Sequence, residues 1–170
     1  NPAQTNWQEI TIPIASFGFG RPLTNVYGSF EVTMLSPRVR AISFLSTNVG
    51  FAVGTMYDGG RYVNVSSVQK TSGNGATNWS TVVPGTNYEI ATFHDVDFVD
   101  ANNGWIAANS KGILRTVNGG TAWTPATNGI NGSSIVSLDF VSSTTGWALD
   151  SNYKRIFKTT DGGATWVQQL

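Results

Sequence analysis

Two carboxylates, Asp95 and Asp97, stand two residues apart in the segment DVDF, and a third, Asp139, takes the place of Asp97 in the segment SLDF. Polar and apolar residues alternate in both segments, which predicts strands whose alternate side chains share a face. Two carboxylates on one face of a sheet are suited to general acid and base work. The alternative is that each carboxylate accepts hydrogen bonds from the backbone of a neighbouring segment.

Asp161 is the acid of a different kind of segment, TTDGGATW, which covers residues 159–166. A short acid before two glycines predicts a tight turn, because the carboxylate accepts backbone N–H groups and glycine tolerates the positive φ that such a turn needs. Asn118 takes the place of Asp161 in the related segment TVNGGTAW, residues 116–123. Asparagine closes a turn as well as aspartate does, but it is no general base. We therefore expect Asp161 to shape a turn and to take no part in catalysis.

Composition argues against metal, cofactor and nucleic-acid chemistry. His94 is the only histidine and there is no cysteine, so the chain lacks the residues for a soft-metal site. Lys plus Arg and Asp plus Glu each number 10, which leaves a net charge of zero and no general attraction to nucleic acid. No apolar run reaches the roughly 18 residues that span a bilayer. We expect no metal, no cofactor, no nucleic acid and no membrane span.

A repeat organises most of the chain. Three segments align: VRAISFLSTNVGFAVG (39–54), FHDVDFVDANNGWIAA (93–108) and IVSLDFVSSTTGWALD (135–150). In each, a Phe is followed six residues later by a Gly and then by an aromatic residue, and a Trp closes the unit further on. The shared positions are Phe44, Phe98 and Phe140; Gly50, Gly104 and Gly146; Phe51, Trp105 and Trp147; and Trp79, Trp123 and Trp166. The closing Trp recurs after 44 and then 43 residues, which chance does not explain.

Each unit is typical of four short strands, and a four-stranded unit of about 40–45 residues has the period of one propeller blade. The predicted fold class is all-β: a β-propeller segment of three four-stranded blades plus an N-terminal outer strand. We assign residues 1–38 to that strand and an insertion, 39–84 to blade 1 with a long hairpin, 93–129 to blade 2 and 135–170 to blade 3. Together they form one continuous, incomplete propeller domain.

The segment TTDGGATW matches the Asp-box pattern, Ser/Thr-x-Asp-x-Gly-x-Thr-Trp. The matching residues are Thr159, Asp161, Gly163, Thr165 and Trp166. With the repeat, this box makes residues 39–170 resemble the BNR/Asp-box β-propellers, most closely the photosystem II stability/assembly factor-like and sortilin-like branch. The resemblance implies that the boxes lie at the periphery of the propeller, away from any axial site. Related hydrolases, the sialidases and xyloglucanases, share the box.

The other two boxes depart from this pattern. The second retains Gly120 and Trp123 but carries Asn118 where Asp is expected and Ala122 where Thr is expected. The first has one additional residue before Trp79, which puts the geometry of its turn in doubt.

An N-terminal segment, residues 6–10, resembles the fourth strand of a blade, yet the last blade has its own in WVQQL. The family's propellers usually have six or more blades, and three cannot close a ring of that curvature. Three explanations stay open: the chain is a piece of a longer propeller, copies complete a ring as a homo-oligomer, or the Trp7 strand completes another sheet in an assembly. Exposed edge strands promote aggregation, so we expect one of these three arrangements to cover the open edges of the propeller segment.

The best binding candidates lie in an insertion, residues 55–67, that lengthens the first blade. Insertions in repeat proteins form loops on one face, often the binding face. Aromatic and polar groups suited to a protein or glycan ligand are found there at Tyr57, Asp58, Arg61 and Tyr62. The alternative is an ordinary long hairpin around Asp-Gly-Gly.

Three bases, Lys70, Arg115 and Lys158, share one position of the repeat and so form an arc of charge. Such an arc can meet an anionic surface. We expect instead that each stem covers a neighbouring aromatic ring. Because Arg115 is then a feature of every blade, it does not indicate the arginine cluster of a sialidase.

The sequence predicts a secreted protein, extracellular or periplasmic, that binds or assembles with a protein or glycan through its loops and has no catalytic activity of its own. The start at Asn1-Pro2, without an initiator Met, predicts a processed or excised N-terminus. Two alternatives stay open. One is a fragment of a glycoside hydrolase, sialidase- or xyloglucanase-like, whose axial site is completed by further blades. The other is a structural or adhesin subunit assembled by strand exchange.

Overall fold

The computed structural model describes residues 38–58, 63–72, 79–82, 91–109, 112–131 and 133–170. These residues form three antiparallel sheets of four strands each and contain no helix. Within them there is accordingly no helix with the length and apolar character to cross a membrane.

We call the sheets blade 1, blade 2 and blade 3, in chain order. Blade 1 contains β1 (Arg38–Phe44), β2 (Val49–Asp58), β3 (Val63–Ser72) and β4 (Trp79–Val82). Blade 2 contains β5 (Phe93–Phe98), β6 (Gly104–Ala108), β7 (Gly112–Thr116) and β8 (Thr124–Pro125). Blade 3 contains β9 (Ile135–Phe140), β10 (Gly146–Asp150), β11 (Arg155–Thr159) and β12 (Val167–Gln168).

Each blade is a meander, because strands that follow one another in the chain are neighbours in the sheet. The predicted all-β fold class, with three four-stranded blades of a propeller, is confirmed. The N-terminal outer strand around Trp7 lies outside the described residues.

The turn between the first and second strands is built in the same way in all three blades. In blade 1 the N–H of Leu45 binds the carbonyl oxygen of Val49 at 2.9 Å. A short polar side chain at the same place in each turn accepts the N–H groups two and three residues further on; it belongs to Ser46, Asp100 and Ser142. Such side chains favour turns because they bind the local backbone.

The glycine that opens the second strand is required for space. Gly104 pairs with Phe98, and a Cβ atom on Gly104 would stand 2.4 Å from the Phe98 ring. No side chain fits at that distance, so the ring crosses its partner strand only where the partner is glycine. The same arrangement places the ring of Phe44 over Gly50 and that of Phe140 over Gly146.

The hydrophobic core lies between consecutive blades. Phe51 of blade 1 stacks on Phe98 of blade 2, with ring centroids 3.5 Å apart and planes within 3°. Trp105 of blade 2 stacks on Phe140 of blade 3 at 3.6 Å and 5°. The closing Trp of each blade meets the Phe of its own blade edge-on, at centroid distances from 5.9 to 6.2 Å. The repeated Phe, Gly and aromatic positions of the sequence are thus the contacts that hold one blade on the next.

Blade 1 differs from the others in the length of its central hairpin. β2 and β3 have ten residues each, whereas the equivalent strands of blades 2 and 3 have five. The pairing runs without interruption from Val49 opposite Ser72 to Asp58 opposite Val63. At about 3.3 Å per residue, the five additional pairs extend this hairpin by about 16 Å.

Candidate binding surface and blade joints

The acids of the first strands hold neighbouring blades together. The Oδ2 atom of Asp97 accepts the backbone N–H of Phe140 in blade 3 at 2.6 Å. Ser43, at the same place in blade 1, accepts the N–H of Phe98 in blade 2 through its Oγ atom at 3.0 Å. Serine and aspartate therefore perform the same task at equivalent positions, which requires an acceptor and no proton transfer.

Asp95 adds a second set of bonds between blades 2 and 3. Its Oδ2 atom accepts the N–H of Leu138 at 2.8 Å and the hydroxyl of Ser137 at 3.1 Å. Its Oδ1 atom accepts the N–H of Val96 at 2.9 Å. Asp139, the third acid of the series, is exposed and its carboxylate has no hydrogen-bond partner among the described residues.

Asp97 has a pKa above the ordinary value for a carboxyl group. Burial is the main cause, and the negative charges of Asp95 and Asp139 add to it, while the N–H groups of Phe140 and Phe98 act in the opposite direction. A raised carboxyl pKa is a property of general acids. The short bond to Phe140, however, places this carboxylate in the contact between two blades.

The third Asp-box is a closed turn that uses both oxygens of Asp161. The Oδ1 atom accepts the N–H of Thr165 at 2.9 Å and the hydroxyl of Thr159 at 2.8 Å. The Oδ2 atom accepts the hydroxyl of Thr165 at 2.6 Å. These bonds, first those from Thr165, lower the pKa of Asp161 to about 2. Gly162 and Gly163 supply the positive φ of the turn, at 72° and 93°.

The second box forms the same turn with an amide in place of the carboxylate. The Oδ1 atom of Asn118 accepts the N–H of Ala122 and the hydroxyl of Thr116, each at 2.9 Å. Thr116 in turn accepts the N–H of Gly120 at 3.0 Å, as Thr159 accepts that of Gly163 at 2.8 Å. Ala122 has no hydroxyl, so the bond that Thr165 makes to the second oxygen of Asp161 has no counterpart here. Trp123 and Trp166 close the two boxes and are buried.

The boxes also contact the preceding blade. Trp105 donates its indole N–H to the carbonyl oxygen of Gly162 at 2.9 Å. Arg115 lies against the same glycine, since a Cβ there would stand 3.0 Å from the guanidinium carbon. One blade earlier, the Nζ atom of Lys70 donates to the carbonyl oxygen of Gly119 at 3.4 Å. The glycine turn of a box is thus the surface on which the previous blade packs.

The three repeated bases lie over the aromatic residue of their own second strand. The cation stands 5.3 Å from the ring centroid for Lys70 over Phe51, 6.0 Å for Arg115 over Trp105 and 5.2 Å for Lys158 over Trp147. This geometry favours a cation–π contact and covers the ring with an aliphatic stem. The expectation that each base covers a neighbouring ring is confirmed.

We call the full contact between two blades a blade joint. Its first side consists of an acceptor on the first strand, an aromatic ring on the second and a base on the third. Its second side consists of the Phe and the glycine turn of the following blade. The joint between blades 1 and 2 joins Ser43, Phe51 and Lys70 to Phe98 and Gly119. The joint between blades 2 and 3 joins Asp97, Trp105 and Arg115 to Phe140 and Gly162.

His94 does not belong to a metal site in the described part of the chain. The imidazole is half-buried, and burial, followed by the charge of Arg40, lowers its pKa. No group of three or more His, Cys, Asp or Glu side chains suited to a metal ion occurs among the described residues.

One polar cluster in blade 3 escaped the sequence analysis. The carboxylate of Asp150 is fully buried and accepts bonds from the Nε and Nη2 atoms of Arg155, at 3.0 and 2.5 Å. Arg155 also donates to the hydroxyl of Ser133 at 2.9 Å. Burial acts to raise the pKa of Asp150, but the bonds from Arg155, Asn152 and Ser134 outweigh it and hold that pKa below its ordinary value. The sequence did contain a signal for this pair, because Asp150 and Arg155 stand on either side of a four-residue turn.

Two of the four predicted binding residues fall at the far end of the long hairpin. Tyr57 and Asp58 are the last two residues of β2 and pair with Asn64 and Val63. Arg61 and Tyr62 lie outside the described residues, as do the side chains of Tyr57 and Asp58. The middle of the hairpin is held in place, because Ser66, opposite Thr55, donates a hydrogen bond to the carbonyl oxygen of Ala91 and Gln69, opposite Ala52, is fully buried.

Comparison with known proteins agrees with this architecture. A model of the family described as photosynthesis system II assembly factor YCF48 matches residues 71–168, which is more than half of the chain. A solved structure of YCF48 bound to a D1 peptide superposes with a TM-score of 0.63 at 21% identity, over 78% of this chain and 40% of that one. YCF48 from Cyanidioschyzon merolae gives 0.60 at 19% identity, over 79% of this chain and 37% of that one.

An enzyme shares the same fold. The GH74 enzyme of Niastella koreensis superposes with a TM-score of 0.61 at 22% identity, over 78% of this chain and 22% of that one. At these identities the superpositions show the fold. The chain spans about two fifths of the length of the YCF48 structures. No curated protein matches the sequence.

Proposed function

This chain belongs to the photosynthesis system II assembly factor YCF48 family, and we propose that it is a non-catalytic module that binds a segment of another protein. Its resemblance to the assembly-factor branch of the Asp-box propellers is confirmed by the family match. What we propose beyond the family is that the partner is a protein segment and that the chain has no catalytic activity.

The observation that carries the proposal is the use of the inner acids in the blade joint. Asp97 and Asp95 each accept a backbone N–H of blade 3, at 2.6 and 2.8 Å. Side chains committed to backbone hydrogen bonds are poorly placed to exchange protons with a substrate, because a general acid or base must reach the reacting atom. The hydrogen bonds of Asp95 and Asp97 therefore favour a binding or assembly function over a catalytic one.

We place the partner at the tip of the long hairpin of blade 1. This hairpin is the element in which blade 1 departs most from its two sister blades, and its middle is buried and hydrogen-bonded. Its two strands end at Tyr57–Asp58 and Val63, and the sequence between them includes Arg61 and Tyr62; tyrosine and arginine are common in protein-binding surfaces. One structural relative is bound to a peptide, D1, which supports a protein segment over a glycan as the partner.

Peptide binding by the full chain tests this proposal. The probes are a fluorescent D1 peptide and a panel of unrelated peptides, read by anisotropy. We expect Tyr57→Ala, Arg61→Ala or Tyr62→Ala to weaken binding at least tenfold, since hot-spot side chains dominate such contacts. The matched control is Tyr153→Ala, which removes an exposed tyrosine from the equivalent turn of blade 3 and should leave the affinity unchanged. Oligosaccharide binding without peptide binding would contradict the proposal.

A glycoside hydrolase fragment is the second candidate, favoured by the fold shared with a GH74 enzyme and by the raised pKa of Asp97. The test is turnover of xyloglucan and of aryl glycosides by the wild type and by Asp97→Asn. The amide oxygen of the variant still accepts the Phe140 N–H, so the fold should survive. Turnover that this substitution abolishes would establish the hydrolase; its absence leaves the binding module.

A further inference from the structure

The blade joint occurs twice in the described chain with the same parts in the same places. In each joint the Phe of the following blade donates its N–H to a first-strand acceptor and lays its ring on a second-strand aromatic residue. Phe98 and Phe140 become almost fully buried in this way, at 5% and 6% exposure. The repetition defines what each side of a joint looks like when it is occupied.

Blade 3 carries a third copy of the first side of the joint. Asp139 lies opposite Trp147 in the sheet, as Asp97 lies opposite Trp105 in blade 2. Lys158 lies over Trp147, again as in blade 2. No described blade follows, however. Trp147 is only half-buried, whereas Trp105 has no exposed surface, and Asp139 is open to solvent.

Blade 1 carries the Phe of the matching second side; the segment that would form its glycine turn lies outside the described residues. Phe44 pairs with Gly50 and meets Trp79 edge-on, just as the buried Phe of the other blades does. Phe44 is nevertheless 43% exposed, whereas Phe98 and Phe140 are 5% and 6% exposed, and no described blade precedes it. The shared pairing with glycine directs its N–H away from blade 1, in the direction that Phe98 and Phe140 use for their bonds.

We propose that blade 3 of one copy of this chain docks on blade 1 of a second copy through a third blade joint. Asp139 accepts the N–H of the second copy's Phe44, and Trp147 stacks on that ring. The chain itself supplies the acceptor, the aromatic ring and the exposed Phe of a joint that it already builds twice, which is why we take a second copy as the occupant. Its net charge of zero offers no general repulsion between copies.

The joint has a direction, so the association is head to tail. Acceptor and aromatic ring are on blade 3 and the Phe is on blade 1, and neither face can pair with its own kind. Interfaces of this type close into rings or grow into open chains, and do not form twofold dimers. The inference is independent of the proposed peptide site, since it uses blade faces and not the hairpin.

Sedimentation velocity over a concentration series tests the proposal on the full chain. We expect dimers or larger species in the wild type, and an at least tenfold weaker association in Trp147→Ala, in Asp139→Ala and in Phe44→Ser. Val167→Ser is the control, because Val167 is exposed on the outer strand β12 and lies in no joint. Mixing Trp147→Ala with Phe44→Ser leaves one intact face on each, so the mixture should form a 1:1 dimer and nothing larger.

Two results would overturn the inference. One is a monomer at every concentration, which would show that a second copy does not occupy these faces. The other is association that none of the three substitutions weakens, which would place the contact elsewhere. The mixed dimer guards against misfolded variants, since only folded chains can complement each other.

Discussion

The residue at the third place of an Asp-box determines whether the turn responds to pH. In blade 3, Asp161 binds the N–H and the hydroxyl of Thr165, and both bonds favour its ionised form. In blade 2, Asn118 binds the N–H of Ala122 and has no charge to lose. The two boxes therefore have the same shape, but only the box of blade 3 should open as acid is added.

Substitution of Asp161 tests that difference. Its folded-state pKa of about 2 lies below the ordinary 3.8, so the group stabilises the fold above about pH 4 and loses that contribution as the pH falls toward 2. Asp161→Ala should lower the free energy of unfolding by about 1–2 kcal/mol at pH 7, since backbone and hydroxyl donors lose their acceptor. Asp161→Asn, which copies blade 2, should cost less.

Urea denaturation of the wild type and both variants from pH 7 to pH 2.5 measures these effects. The difference between the wild type and Asp161→Ala should shrink below pH 4. A difference that stays constant over the whole range would show that the charge of Asp161 contributes nothing.

At the scale of the element, the blade joint explains why the repeated residues are what they are. The sequence indicated where each Phe, Gly and Trp recurs, because a period of about 43 residues is visible without any partner. It did not indicate that each Phe ring lies across its glycine, since that contact depends on the pairing of two strands. It left open whether Asp97 works on a substrate or on a backbone, because its partner, Phe140, is 43 residues away.

Two equivalent tryptophans make a matched test of the joint. Trp105 is fully buried, stacks on Phe140 and donates to Gly162, so Trp105→Ala should lower the free energy of unfolding by about 3–5 kcal/mol. Trp147 holds the same place on a face without a described neighbour, so Trp147→Ala should cost well under half as much. Guanidinium denaturation at a concentration where the protein is monomeric gives both values; equal losses would mean that stacking between blades adds little.

At the scale of the molecule, blade 2 is the only described blade with a described neighbour on each side. Every residue of β6 is buried, and so are four of the five residues of β7. β10 and β11, the equivalent strands of blade 3, retain partly exposed positions. Stability in a repeat structure is the sum of units and of contacts between them, so the central blade should open last.

Hydrogen exchange followed by mass spectrometry tests that order. At a concentration where the chain is monomeric, amides of residues 104–116 should exchange more slowly than those of residues 146–159. Exchange in residues 104–116 should be slower because local opening of blade 2 must break two joints, whereas local opening of blade 3 breaks one. Equal protection of the two hairpins would contradict this account.

Each joint requires the same features of the blade that follows: a backbone N–H on a Phe, a flat ring lying over a glycine, and a glycine turn. These shared features are not particular to the two blades that they connect, since Ser43 serves Phe98 as Asp97 serves Phe140. A gene duplication or deletion of one unit, 43 or 44 residues long, would bring two compatible faces together at the new boundary. Blade number is therefore a quantity that such a lineage can change in a single genetic event, without redesigning any interface.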